Sequence, residues 1–396
     1  MRSDRLASGG GAGFSVVELL VSVVIGMLAL LFATRLVLSS EQSKQASLGG
    51  SDAMQNGMLA LFTINNEASQ AGWGLNDPLL TGCDTVFFDN QGYTLTAVPR
   101  GGLMVSPLAA ALIESNGADP DRLTLYSGSA MGGTGTLRLT HDYAGENNIV
   151  VERVPYGFAL GDVIVVAPET VGAAKCALAQ IAVDPGLQAG PPQPQKLSIA
   201  SGAGFRFNAG QLGALYKNGQ ARLFNLGPGS RLSFHTWSVA NGFLQMRAAD
   251  LAGSSAAPAS VTDNIVSLKA QYGFDTRSGA AFTPSGGMQV SQWSGSMIDA
   301  DNDGLVGSAG DYQHIAALRV AVVARSKNPE KPNSQGVCSA STALPVVFGA
   351  AEPFGVSAVP VSVNVAVAGD TVDWKCYRYR VFETIVPLRN SNWRPT

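Results

Sequence analysis

The stretch from Gly11 to Phe32, GAGFSVVELLVSVVIGMLALLF, is apolar except for Ser15, Glu18 and Ser22, and no charge occurs from Leu19 to Thr34. With residues 14–17 and 36–38 added, the segment reaches the roughly 20 residues that a helix needs to cross a bilayer. Arg2 and Arg5 precede it and favour a cytoplasmic start, so the bulk of the chain is expected outside the inner membrane, on a single span. Residues 39–72 are polar with a thinner apolar stripe. Met54, Met58, Leu61, Phe62 and Ala68 recur at helical spacing and predict a helix laying that face on a globular head. Gly49, Gly50 and Gly57 each weaken it by about 1 kcal/mol relative to Ala, so loosening is expected near Gly49 and an end near Gly72.

Beyond Gly72 the period falls to two. DRLTLYS (121–127), GDVIVVAPE (161–169) and RLSFHTWSVANGFLQMR (231–247) read as strands, the last with an Asn241-Gly242 hairpin turn. NIVSLKAQYGFDT and AALRVAVVARS alternate as half-buried strands of an antiparallel sheet, and YRYRVFETIVPLRN supplies a final strand. The Pro-rich run 185–195 reads as a surface loop, and 185–197 as the best internal boundary of a head spanning 73–396.

Composition adds the compartment. Charged residues are 14% of the 396, while Gly (46) and Pro (20) are plentiful, which suits a turn-rich β protein outside the cytosol. A net charge of -3 and the lack of any dense Lys/Arg run leave no footprint for nucleic acid. Cys83, Cys176, Cys338 and Cys376 stand far apart, so they read as two disulfides. Three pairings satisfy the count; the sequential one is favoured because each bridge then closes a loop within one half of the chain.

Glu18 is the awkward residue. A carboxylate inside a membrane helix costs at least about 2.5 to 3.5 kcal/mol and calls for a partner or a function. A cut between Gly13 and Phe14 would expose an amine one helical turn away, on the same chain or a neighbouring one. GFSVVELLVSVVIGMLALL thus resembles the prepilin signal of type IV pilins and pseudopilins, and ARLFNLGPG, FHTWSVANGFLQMR, NIVSLKAQYGFDT, DADNDG, AALRVAVVARS and RYRVFETIVPLRN, in that order, resemble the PilW-type minor pilins. The resemblance implies a leader at 1–13, removed by a prepilin peptidase that also methylates Phe14, and a Glu18 that docks the subunit on its neighbours. It implies an α+β, pilin-like fold, a long N-terminal transmembrane helix packed on a large antiparallel β-sheet head. Its partners would be other minor pilins, the major pilin and a large tip adhesin, on a pilus serving adhesion, twitching or DNA uptake. The rivals are a pseudopilin of type II secretion and a membrane-anchored binding module or enzyme.

One further motif is site-like. In DADNDGLVGSAGD, Asp299, Asp301 and Asp303 have the spacing of calcium loops, with Gly304 at the sharp turn. An EF-hand would place Glu at the twelfth position, here Gly310; Asp311 follows one place later. Calcium at these four aspartates competes with a solvated acidic turn. No G-x-S-x-G, H-E-x-x-H or P-loop pattern occurs, and His141, His235 and His314 are scattered, so no enzyme is expected. His235, beside Phe234 and Trp237, reads as a packed or surface ring. Trp73, Trp237, Trp293, Trp374 and Trp393 read mostly as core or turn anchors.

Overall fold

Helix α1 runs from Val16 to Gln70. The computed structural model describes residues 15–130, 136–185, 195–202, 204–333 and 335–392. The chain divides into two units, Met1–Ser51 and Asp52–Thr396, each taken by itself below. Gly49 lies within the span of α1, close to the boundary between the two units.

Beyond Ser51 the stripe expected on α1 is buried only in part: Ala68 is buried and Leu61 packs on the core, but the larger side chains of the stripe are not covered. Ala53, Ala60, Ile64 and Ala68 are buried, whereas Met54, Met58 and Phe62 are 51%, 53% and 69% exposed. The reason is close approach. A Cβ at Gly57 would lie 2.1 Å from the Phe382 ring, so the small residues bring the helix axis down onto the head. Where α1 ends, Gly72 takes φ 84 and donates its N–H to the Tyr126 carbonyl, turning the chain into the sheet.

The strands follow in two runs. The first comprises β1 Cys83–Val86, β2 Val98–Arg100, β3 Leu103–Val105, β4 Pro107–Leu108, β5 Ala111–Glu114, β6 Arg122–Ser127, β7 Thr136–Arg138, β8 Asn148–Val151, β9 Asp162–Pro168, β10 Cys176–Gln180 and β11 Gln195–Ser198. The second comprises β12 Ala221–Pro228, β13 Ser233–Ala240, β14 Phe243–Ala248, β15 Ala259–Asp263, β16 Ile265–Phe274, β17 Gln292–Ser294, β18 Ile315–Arg325, β19 Val346–Val347, β20 Val361–Ser362 and β21 Tyr379–Pro387. Short helices α2, Ala309–Gln313, and α3, Arg389–Asn392, flank β18 and β21.

The fold is α+β, with a large β head as expected, and the larger sheets among the described residues have orders β4-β1-β10-β9-β12-β7, β15-β14-β13-β6-β5 and β17-β16-β18-β21. Their ladders are antiparallel except β1 with β10, which is parallel. A main core joins Ala60, Ile64 and Ala68 of α1 to Leu125, Trp237, Leu268, Val320 and Val322. Strand β9 serves two cores, sending Val163 and Val165 to this one and Ile164 and Val166 to a second. That second core takes residues from Leu137 to Leu223, on both sides of 185–197. Residues 186–194 themselves lie outside the described set.

Strands β16 and β18 are not half-buried. All ten positions of β16 and the first ten of β18 are inside. Their second face is roofed by the segment carrying Val347, Phe348, Val363 and Val365, which packs on Val266, Ala321 and Val323. Buried Arg319 on that face has its partners there, the Ala350 carbonyl at 3.0 Å and Glu383 at 3.3 Å. Alternation alone could not reveal a roof made of irregular chain.

The β13–β14 hairpin turns at Asn241 (φ 52) and Gly242 (φ 78), the left-handed pair that a type I′ turn requires. Cys83 is joined to Cys176 beside the parallel ladder, and Cys338 to Cys376 beside the start of β21.

Candidate functional site

The N-terminal unit presents one chemical idea. Val16–Leu38 is long and apolar enough to cross a membrane, and its described side chains are exposed. Its hydroxyls fold back on the helix: Ser22 donates to the Leu19 carbonyl at 2.8 Å and Thr34 to Leu30 at 2.9 Å. Each is satisfied within its own backbone, as a lipid environment demands. Glu18, in the first turn, is exposed and is the acidic residue of that turn, where the helix dipole favours negative charge. Gly13 and Phe14 lie outside the described residues.

On the head, the acidic loop folds as a series of side-chain turns. Asp299 accepts from Gly304 N–H at 3.0 Å, Asp301 from Asp303 N–H at 3.1 Å, and Asp303 from Leu305 N–H at 2.7 Å. Asn302 and Gly304 take the left-handed backbone that this coiling needs (φ 63 and 85). One oxygen of each of the three carboxylates lies within 4.8 Å of the others. Hard oxygen donors in that arrangement suit calcium. Asp299 Oδ1 is out of solvent with no hydrogen-bond partner, so one donor is uncommitted.

Asp311 does not join that group. Its carboxylate accepts from Ala300 N–H at 2.5 Å and from Gly307 and Ser308 N–H at 2.7 and 3.1 Å, and it closes a capping box with Ser308 at the start of α2. Burial raises its pKa against the pull of those amides. Gly310, where an EF-hand carries its glutamate, makes room for Asp301: a Cβ there would lie 1.7 Å from Asp301 Oδ2.

His235, which the sequence suggests is a packed or surface ring, lies between two carboxylates. His235 Nδ1 lies 2.8 Å from Glu67 of α1 and Nε2 2.6 Å from Asp250, while Trp237 Nε1 donates to the other Glu67 oxygen at 2.8 Å. Burial of the ring lowers its pKa, but the two carboxylates outweigh it and push it up to about 10. The protonated ring ties helix to hairpin. The available signal was a lone Glu on an otherwise small and apolar helix face, four residues after Thr63. His314, by contrast, is buried and stacks on Phe282 at 3.6 Å, and His141 is exposed. Trp237 and Trp293 are core anchors, Trp73 is half exposed, and Trp393 lies outside the described residues.

An apolar N-terminal helix compatible with a membrane anchor, and a disulfide-braced β head, are the parts on which the comparisons bear. Residues 235–390 match the family model described as Type IV pilus-assembly protein W, and over this region the chain is of PilW type. The match begins within β13 and ends in α3, so it takes in the β16–β18–β21 sheet and its roof. No curated protein and no solved structure matches the chain.

Proposed function

We propose that this type IV pilus-assembly protein acts as a minor pilin, priming or capping the fibre tip together with other minor pilins and the major pilin and presenting a large adhesin there. The observation that carries this reading is the pairing of a PilW-type head with an apolar helix whose only charge before Arg35 is Glu18. In this reading the prepilin peptidase cuts after Gly13 and methylates Phe14, the helix holds the subunit in the inner membrane, and Glu18 then meets the N-terminal amine of a neighbour. The carboxylate in lipid gains a countercharge at the moment of assembly, which makes docking favourable where a free subunit is penalised. Calcium at Asp299, Asp301 and Asp303 would brace the loop ahead of β18. No catalytic constellation supports an enzyme, and the family match favours the pilus over a secretion pseudopilin.

The test is Glu18→Ala in the native host. Leader removal is expected to continue while the subunit disappears from sheared pili; piliation and tip composition equal to wild type would refute the docking role.

A further inference from the structure

The five-stranded sheet has two faces with different tasks. Trp237 reaches Glu67 of α1, so its neighbours Thr236 and Ser238 point to the opposite face by strand alternation. There a cleft of about 390 Å³ opens, lined by Thr236, Ser238, Arg122, Arg247 and Pro258 among others. It lies on the face turned away from the helix.

Its floor is a closed polar network. Tyr93 Oη and Thr236 Oγ1 are 3.2 Å apart, Thr236 and Thr124 hydroxyls 3.1 Å, and Thr124 and Thr96 hydroxyls 2.7 Å. These groups satisfy one another and fix the floor's shape. The acid nearest the cleft is spent elsewhere: the buried Asp121 carboxylate is bonded to Lys269 and to the Asn116 and Ala270 amides. Arg122 is paired with Glu114 at 3.2 Å.

Arg247 is different. Its guanidinium donates to Thr94 Oγ1 at 3.1 Å and to the Thr94 carbonyl at 2.9 Å, and lies over the Tyr93 ring at 4.9 Å. Neutral groups are its partners; among the described residues no carboxylate forms an ion pair with it, and its Nε is out of solvent without an acceptor. Each terminal nitrogen keeps one N–H beyond the one spent on Thr94, and a preorganised guanidinium with such spare donors at a cleft is the geometry that receives a carboxylate. Aromatic rings, the usual platform for a sugar, do not line it; proline, alanine and valine do.

We propose that this cleft binds an acidic segment of a partner protein, a carboxylate docking on Arg247 with the Ser238 hydroxyl as a second contact. Glu114 acts as an internal competitor for the neighbouring cation, Arg122.

The experiment uses the full-length chain in detergent micelles and a fluorescein-labelled oligoglutamate peptide, with oligoglutamine and oligogalacturonate as the comparison probes. Oligoglutamate is expected to bind at least about tenfold tighter than oligoglutamine and to weaken as salt rises. Arg247→Gln should cost about tenfold, Arg247→Lys less, and Glu114→Gln should tighten binding a few-fold by freeing Arg122. The gain in Glu114→Gln keeps the test decisive if Arg247→Gln does not fold. Equal affinity across wild type, Arg247→Lys and Glu114→Gln, or no preference for oligoglutamate, overturns the proposal. Preference for oligogalacturonate overturns it too, giving the cleft to acidic saccharide.

Discussion

The Phe382 ring occupies the space where a side chain at position 57 would stand, so Gly57 of α1 and Phe382 of β21 set how closely helix and sheet approach. Gly57→Ala gains about 1 kcal/mol of helix propensity, but the new Cβ meets ring carbons at 2.1 and 2.4 Å and the ring must leave its place. Overpacking of this kind costs about 1 to 3 kcal/mol, so after the propensity gain a net destabilisation of up to about 2 kcal/mol is expected by chemical denaturation. A variant as stable as wild type would show that the approach is loose.

His235 makes stability depend on pH. Its folded pKa lies near 10, above the ordinary value of 6.5, so its contribution is complete below about pH 6.5 and is lost as pH rises through 10. His235→Gln strands two carboxylates and should cost about 3 kcal/mol at pH 6. By pH 10.5 the difference from wild type should shrink markedly. Denaturation curves at the two pH values measure it, and a constant difference contradicts the assignment.

If calcium occupies the loop of Asp299, Asp301 and Asp303, wild-type protein should melt higher with calcium than with chelator. Ligand at 100 times its dissociation constant contributes about 2.7 kcal/mol. Asp301→Asn should abolish the shift, and so should Gly310→Ala, whose Cβ would displace the Asp301 carboxylate without removing any donor. The absence of a calcium shift in the wild type removes the metal.

The Cys83–Cys176 bridge closes a separation of 93 residues and ties β1 to the parallel edge of β10. In the chain-entropy model its loss destabilises by about 4 to 5 kcal/mol. The Cys338–Cys376 bridge, with a separation of 38, is expected to matter slightly less, by under about 1 kcal/mol. Thermal melts of the two double-serine variants should rank in that order.

Legibility followed range of interaction. Residues in local patterns, such as Asn241-Gly242 and the strands β13, β16, β18 and β21, stood where the sequence reading expected them, although β16 and β18 are buried on both faces. The buried helix face did so only in part: of the expected stripe Ala68 and Leu61 face the core, but Met54, Met58 and Phe62 do not, because the packing distance is set by Phe382, more than 300 residues away. The roof over β16 and β18 was invisible for a similar reason: its anchor, Arg319, reads in sequence as an ordinary polar break in an apolar run. The acidic loop was found by its spacing, while the sequence did not show that backbone amides of Ala300, Asp301, Gly307 and Ser308 surround the Asp311 carboxylate. His235 carried no motif, and its chemistry comes from Glu67 and Asp250, which approach it only in the folded chain.

Strand β21 is among the last segments of the chain, and it supplies both the outer partner of β18 and the ring against Gly57. Just after it, Asn390 Nδ2 donates to the Ser69 and Gln70 carbonyls at the end of α1. The seat for the helix is therefore completed by residues more than 300 positions away from it in sequence. Until that distant segment has docked, α1 rests on the core it shares with β6, β13 and β16, so a fully seated helix is a sign that widely separated parts of the chain have come together.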